Sequence, residues 1–291
     1  MASPARPGFK AVTSGDNPRY KELRRLVQSA QARKKSGLSV LDGVHLIEAY
    51  SKHRGMPQQL VVSRSGMENP EIRKLAEETG AGCLLLADPL FRHFSPVETP
   101  TGIMAVVRTP QAQRPPQGMD ACVMLEDIQD PGNLGSMLRS CAAAGIRHVL
   151  LSTGSAHAWS PRVLRAGMGA HFVLTVYEQA DLPAAARAFR GTRVATRQGA
   201  PESVFNTDLR GNVAFFFGNE GAGLSRDLLG VADVVVSVPM PGPAESLNVA
   251  ASAAVCLFER VRQLRASGQP PAASRQSPAG GGKPGTRGTD R

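Results

Sequence analysis

Three short segments hold the side chains best suited to chemistry. "EDIQDPGNLGSMLR" places Asn133 and Arg139 six residues apart, among Gly132 and Gly135. Asn133 can cap a helix through its side-chain oxygen, and the glycines let other backbone come close. "FFFGNEGAGLS" surrounds one carboxylate, Glu220, with Gly218, Gly221 and Gly223. "VPMPGPAESLNVAASAAVCLFERV" sets Pro239, Pro241 and Pro243 ahead of Glu245, Ser246 and Asn248, and a run of small residues follows. Prolines fix φ and lack an N–H, so they stiffen the loop and leave carbonyls free to accept from a ligand. Each segment also has a plainer explanation. Asn133 could only cap and Arg139 be a surface charge; the glycine loop could be an ordinary turn with Ser225 capping "SRDLL"; the last could be a buried helix with a stiff lead-in.

Several chemistries find no support. No G-x-G-x-x-G follows the first strand of either half, no phosphate loop of the G-x-x-x-x-G-K-[ST] type occurs, and no G-x-S-x-G elbow stands out. His148, His157 and His171 lack metal-ligand spacing, and His171, just before an apolar strand, reads as structural. Cys83, Cys122, Cys141 and Cys256 are far apart, so neither a zinc site nor a disulfide framework is expected, and no metal.

The elements that must position these segments alternate. Residues 1–19 read as flexible, and "NPRYKELRRLVQSAQARKKSG" as one basic helix with Leu23, Leu26, Val27 and Ala30 on one face. Then come "LSVLDG", "QQLVVSR", "CLLLAD" and "GIMAVVR" as strands, with "VHLIEAYSKHRG" and "PEIRKLAEETG" as helices between them. "TPQAQRPPQGMD" is a linker. Beyond it, "CVMLEDI" is a strand of the buried, parallel type, and "HVLLS", "FVLTVY", "TRVATR", "VAFFFG" and "DVVVSV" are further strands, separated by helices. The fold class is therefore α/β: a small α/β domain, then a mostly parallel sheet covered on both faces. In such sheets ligands bind beyond the carboxyl ends of strands, where all three segments fall.

The net charge of +10 is uneven. Residues 1–35 hold nine Lys/Arg against two Asp/Glu (+7), and residues 265–291 hold five against one (+4), leaving about −1 for the middle. Basic ends on a near-neutral body suit contact with a polyanion, or simply solubilising tails. No apolar run reaches eighteen residues and the N-terminus has no hydrophobic signal core, so a cytoplasmic location is expected.

Taken together and in this order, the segments resemble the SpoU/TrmH family of RNA 2′-O-ribose methyltransferases, of the SPOUT superfamily. "DPGNLGSMLRSCAAAGI" is similar to its N-x-G-x-x-x-R motif, "FFFGNEGAGLS" to its G-x-E-G-x-G motif, and "VPMPGPAESLNVAASAAVCLFE" to its I/V-P-M-x-G-x-x-x-S-L-N-V motif. The resemblance spans Ala121 to Leu264. The stretch from Leu38 to Arg108 is similar to the substrate-binding domain often fused in front, although Asp42-Gly43 stands where a Glu-Gly pair is usual.

The resemblance implies a deep trefoil knot in the C-terminal domain, which would explain a small-residue helix behind a stiff loop. It implies S-adenosyl-L-methionine as cofactor, held by Gly218, Val238, Met240, Leu247 and Asn248. It implies Arg139 near the ribose 2′-hydroxyl, with Asn133, Glu220, Ser246 and Asn248 orienting it, the ribose or the methyl donor. It also implies a homodimer through the knotted domain with the site near the interface, where Arg139 serves its own or the partner's site. The fused domain favours ribosomal RNA over transfer RNA; a non-catalytic RNA-binding or ribosome-assembly protein is the reading from another class. The expected division is a basic extension and helix over 1–34, a ribosomal-protein-like RNA-binding domain over 35–108, a linker over 109–119, the methyltransferase domain over 120–264 and a disordered basic tail over 265–291.

Overall fold

Short apolar strands, most of them buried along nearly their whole length, form two sheets. The computed structural model describes residues 9–79, 81–95, 99–111, 114–116 and 118–268, so the tail from residue 269 lies outside the described residues. The first sheet has order β1-β4-β3-β5-β2, from β1 (Phe9–Val12), β2 (Leu38–Asp42), β3 (Gln59–Ser63), β4 (Gly82–Leu86) and β5 (Ile103–Arg108). β1, β4 and β3 run parallel, whereas β5 is antiparallel to both β3 and β2. Its helices are α1 (Pro18–Gln28), α2 (Ala30–Ser36), α3 (Val44–Arg54), α4 (Pro70–Glu78) and α5 (Asp88–Phe94).

Two sequence expectations change here. Phe9–Val12 is not loose chain: it pairs with Cys83–Leu86 at the sheet edge, and Val12 is buried. The single basic helix is two. Ser29 takes an extended conformation, closes α1 and caps α2 by accepting from the Ala32 N–H at 3.2 Å, a choice serine favours over staying helical.

The period-two pattern sends alternate residues to two cores. Val40, Val61, Met104 and Val106 meet α1 and α5 through Leu23, Leu26, Phe91 and Phe94. Leu41, Leu60, Val62, Ile103 and Ala105 meet α3 and α4, in a core that continues into the second half of the chain. Along that seam Tyr50 and Phe172 meet edge to face at 5.3 Å, and Arg54 donates to the Phe172 and Leu174 carbonyls at 3.0 and 3.3 Å. Asp42, whose side chain is 1% exposed, pairs with Arg165 at 3.2 Å and accepts from Thr101.

The second sheet is parallel throughout its seven strands among the described residues, in the order β10-β12-β9-β11-β6-β7-β8. Its strands are β6 (Ala121–Leu125), β7 (His148–Leu151), β8 (Thr175–Tyr177), β9 (Thr192–Thr196), β10 (Glu202–Ser203), β11 (Val213–Phe217) and β12 (Val234–Ser237). The helices are α6 (Pro131–Ala143), α7 (Pro161–Gly167), α8 (Leu182–Ala188), α9 (Arg226–Gly230) and α10 (Val249–Ala266). The central strands β6 and β11 are buried along their whole length, as continuous apolar runs covered on both faces must be. Phe172 belongs to a turn rather than to a strand, so β8 is shorter than "FVLTVY" suggests.

Helix α6 lies against α7 with almost no space between. A Cβ on Gly135 would stand 2.7 Å from the Val163 carbonyl oxygen and 2.9 Å from the Gly167 nitrogen. Glycine is needed there for the approach of two backbones.

Candidate active site

Because its strands are parallel, the second sheet brings all its strand-to-helix loops to one edge. The neighbours β12, β9, β11 and β6 end side by side there. The loops after β9, β11 and β12, together with the first turns of α6 and α10, enclose a cleft of about 550 Å³. Gly218, Glu220, Val238, Met240, Ser246, Leu247, Asn248 and Asn133 all line it.

A chain of side-chain hydrogen bonds joins the three sequence segments. The Asn248 amide donates to Asn133 Oδ1 at 2.9 Å, and the Asn133 amide donates to Glu220 Oε1 at 3.0 Å. Asn248 also caps α10, its Oδ1 accepting from the Ala250 and Ala251 N–H groups at 2.9 and 3.3 Å. Each asparagine uses its oxygen and its amide for different partners, which fixes its orientation. Partial burial alone would raise the Glu220 pKa. Hydrogen bonds from Asn133 and from backbone amides, including Asp130, outweigh it and hold the carboxyl below the ordinary range. Glu220 is therefore an ionised anchor at neutral pH.

Asn133 itself does not cap α6. Asp130 does, accepting from the Asn133 N–H at 2.7 Å, with Pro131 in the first helical turn. This frees the Asn133 side chain, one turn in, to face Glu220 and Asn248.

The glycine loop has its own organiser. Asn219 accepts from the Gly221 and Ala222 N–H groups at 2.9 Å and donates to the Asp127 carbonyl at 2.9 Å. The backbones of Asn219 and Gly223 exchange hydrogen bonds at 3.1 and 2.9 Å. That folds the loop back on itself, so a Cβ on Gly218 would collide with the Gly223 and Leu224 backbone. The opposite wall is apolar: Val238 and Met240 are half-buried, and Leu247 is 38% exposed. Ser246 is exposed on the rim.

Arg139 stands apart. It lies on α6, exposed, and is not among the residues that line the cleft. The structure thus brings together Asn133, Gly218, Glu220, Val238, Met240, Ser246, Leu247 and Asn248, and leaves Arg139 outside. A fourth loop, after β9, was missed: Thr196, Arg197 and Gln198 line the cleft, and Gln198 donates to the Glu245 carbonyl at 2.6 Å, tying down the proline loop. Its signal, polar residues at a strand's carboxyl end, was present in "TRVATRQGA".

Comparison with known proteins places these features. The model described as SpoU rRNA Methylase family matches residues 120–258, and that described as MRM3-like substrate binding domain matches residues 17–105. The chain is 31% identical over 256 residues to the 23S rRNA (guanosine(2553)-2′-O)-methyltransferase RlmP of Bacillus subtilis, covering 86% of this chain and 98% of that one. A crystal structure of an RNA 2′-O ribose methyltransferase superposes with a TM-score of 0.76 at 31% identity, covering 87% of this chain and 99% of the other. The SpoU methyltransferase AviRb from Streptomyces viridochromogenes, solved in complex with the cofactor AdoMet, superposes with a TM-score of 0.75 at 27% identity, over 86% of this chain and all (100%) of that one.

Proposed function

This chain belongs to the SpoU rRNA Methylase family, and we propose that it transfers a methyl group from S-adenosyl-L-methionine to a ribose 2′-hydroxyl of ribosomal RNA. The observation that carries the reading is the hydrogen-bond chain from Asn248 through Asn133 to Glu220, which makes one cleft out of three distant motifs.

The residues present fit the cofactor. The cleft volume of about 550 Å³ is that of a small-molecule site. Gly218 lets the loop fold back against Gly223 and Leu224, which sets the wall on which the ligand would lie. Val238, Met240 and Leu247 offer apolar surface beside it, and the ionised Glu220 suits a cationic ligand. S-adenosylmethionine, when bound, supplies a methyl group on a positively charged sulfur, already activated for transfer.

The chain's own residues then have to align and stabilise. A guanidinium donates hydrogen bonds and accepts none, so Arg139's role is to stabilise the alkoxide developing on the 2′-oxygen as its proton leaves for solvent. Asn133 and Glu220 form a rigid polar wall that orients the ribose. Ser246 and Asn248 complete it beside the methyl donor, Asn248 being locked by its cap on α10. Alignment of this kind accounts for several kcal/mol of a barrier. Arg139's exposure outside the cleft walls supports a homodimer in which it serves the partner's site. We further infer a trefoil knot formed where α10 follows the proline loop, a cytoplasmic location, and the domain division expected from sequence, save that β1, α1 and α2 belong to the first domain rather than to a separate extension. No helix among the described residues is long and apolar enough to cross a membrane.

The test is transfer of labelled methyl groups to unmodified ribosomal and transfer RNA in separate pools. The expected product is alkali-resistant dinucleotide label in ribosomal RNA. Alkali-labile label would mean base methylation, and label confined to transfer RNA would move the substrate class.

A further inference from the structure

The first sheet has a crevice of its own. After β3 the chain turns through Ser65–Glu68 into α4, which packs on one face through Ile72 and Leu75. After β4, the parallel neighbour of β3, it turns into α5, which packs on the other face through Phe91 and Phe94. Where adjacent parallel strands send their helices to opposite faces, the loops part and leave an opening beyond the strand ends; open α/β sheets bind ligands there. Here that opening is a cleft of about 440 Å³. None of its lining residues belongs to the methyl-transfer cleft.

Its floor is backbone. A Cβ on Gly66 would lie 2.5 Å from the Gly102 carbonyl oxygen, and Gly102 has φ +86°. Its apolar sides come from Ile72 and Phe91, each 1% exposed. Its polar groups are few and specific. Asp88 Oδ1 accepts from the Ser65 N–H at 3.0 Å and the Ser65 hydroxyl at 2.8 Å, which aims the carboxylate and leaves Oδ2 for a ligand. These bonds hold the Asp88 carboxyl below its ordinary range, so it is ionised. Arg92, one turn on along α5, lines the same opening, and no ion pair joins it to Asp88 among the described residues. Asn69 caps α4 with its oxygen, which leaves its amide to donate.

We propose that this crevice is a second RNA-binding site that takes an unpaired guanine base, held by Asp88 and Arg92. The open Oδ2 of Asp88 can take a forked bond from the adjacent N1–H and N2–H donors of guanine, and a guanidinium fork matches its O6 and N7 acceptors. Adenine presents an N1 lone pair where the carboxylate sits, so it is rejected. The base must be unpaired, because the edge that meets Asp88 is the pairing edge. The proposal rests on the reading that RNA is the substrate, and it adds a contact that anchors the RNA away from the reacting ribose.

The test uses the full chain and fluorescent uridine 12-mers carrying one central guanosine, inosine or adenosine, with binding read by anisotropy at fixed salt. The guanosine oligomer should bind about tenfold more tightly than the adenosine one. Inosine, which lacks the N2 amine, should fall between. Asp88→Asn keeps an oxygen for Ser65 but puts an amide or an uncharged oxygen before the base, so the preference should shrink to within twofold. Arg92→Gln should lower guanosine binding and the preference together. S-adenosylmethionine affinity should be unchanged in both variants, which shows that they fold. Equal binding of the three oligomers by the parent protein, or a preference that survives Asp88→Asn, overturns the proposal. So does competition by free guanosine monophosphate as strong as that by the oligomer, since the site would then be for free nucleotide. Failure of methyl transfer to any RNA would count against the enzymatic reading instead and leave the base preference to be judged separately.

Discussion

Asn248 donates its side-chain amide to Asn133 across 115 residues of sequence, at 2.9 Å, while its oxygen caps α10. One residue therefore fixes both a helix start and a wall of the cleft. Asn133→Asp puts a carboxylate against the Glu220 carboxylate, where like charges repel. The Glu220 pKa should rise towards its ordinary value, and kcat/KM for methyl transfer should fall at least tenfold. Asn248→Ala should do more harm: it removes the bond to Asn133 and also costs about 1 kcal/mol of helix capping. Steady-state kinetics with a denaturation midpoint for each variant would check this. Full activity in Asn133→Asp would remove the Asn133–Glu220 pair from the mechanism.

Arg139 stands outside the cleft walls and is exposed, so its loss should leave cofactor binding alone. Arg139→Ala is expected to lower kcat by about a hundredfold or more, the usual cost of deleting one group that stabilises developing negative charge. S-adenosylmethionine affinity, measured by calorimetry, should stay within about twofold. If Arg139 serves a partner's site, mixing Arg139→Ala with a cleft-defective Gly218→Ala protein should recover activity that neither has alone. A parallel loss of cofactor binding in Arg139→Ala would contradict its assignment to the ribose.

Much of this site was legible because each motif pairs polar side chains with glycine or proline at the end of an apolar strand. What escaped was non-local or competed with a better local signal. Asp130-Pro131 is a stronger helix start than Asn133, since proline suits the first turn and aspartate caps it. The β9 loop carries Thr196 and Gln198 but no glycine cluster, so its part in the cleft emerges only from β9 lying between β12 and β11. Phe9–Val12 is four residues whose partner, β4, begins at Gly82, and no local pattern reveals such a pairing. The crevice between β3 and β4 was hidden for the same reason. It depends on which face each helix takes.

Gly135 carries a prediction about stability rather than chemistry. An added methyl would meet Ala166, the Val163 carbonyl and the Gly167 nitrogen, mostly backbone that cannot swing aside. Gly135→Ala should gain about 1 kcal/mol in helix propensity and lose more through overpacking, for a net cost of about 1–2 kcal/mol. Urea denaturation should show this as a lower midpoint. Because α6 carries Asn133 and Arg139, activity should fall further than the stability loss explains. A variant as stable and active as the parent would mean that α6 and α7 can separate freely.

His171 makes the fold sensitive to mild acid. Its ring is buried, 5.2 Å from Trp159 and packed on Gly167, and Nε2 lies 2.9 Å from the Ala158 carbonyl. A carbonyl only accepts, so Nε2 carries the hydrogen. Nδ1 is buried without a partner, and a second proton there would have no acceptor. Burial accordingly pushes the pKa down from 6.5 to about 4. Above pH 6.5 both folded and unfolded chains hold a neutral ring, and the full stability is present. Between 6.5 and 4 only the unfolded chain takes up the proton, so stability falls by about 1.4 kcal/mol per pH unit, or roughly 2 kcal/mol by pH 5. His157 is pushed to about 4 as well, chiefly by burial, so the effect has a second contributor. Denaturation midpoints at pH 7.5, 6 and 5 should decline in the parent protein. His171→Gln retains a donor for Ala158 but does not titrate. It should begin less stable at pH 7.5 and decline with a shallower slope, His157 supplying the remainder. An unchanged slope would mean that His171 takes up its proton without cost and that the acid response arises elsewhere.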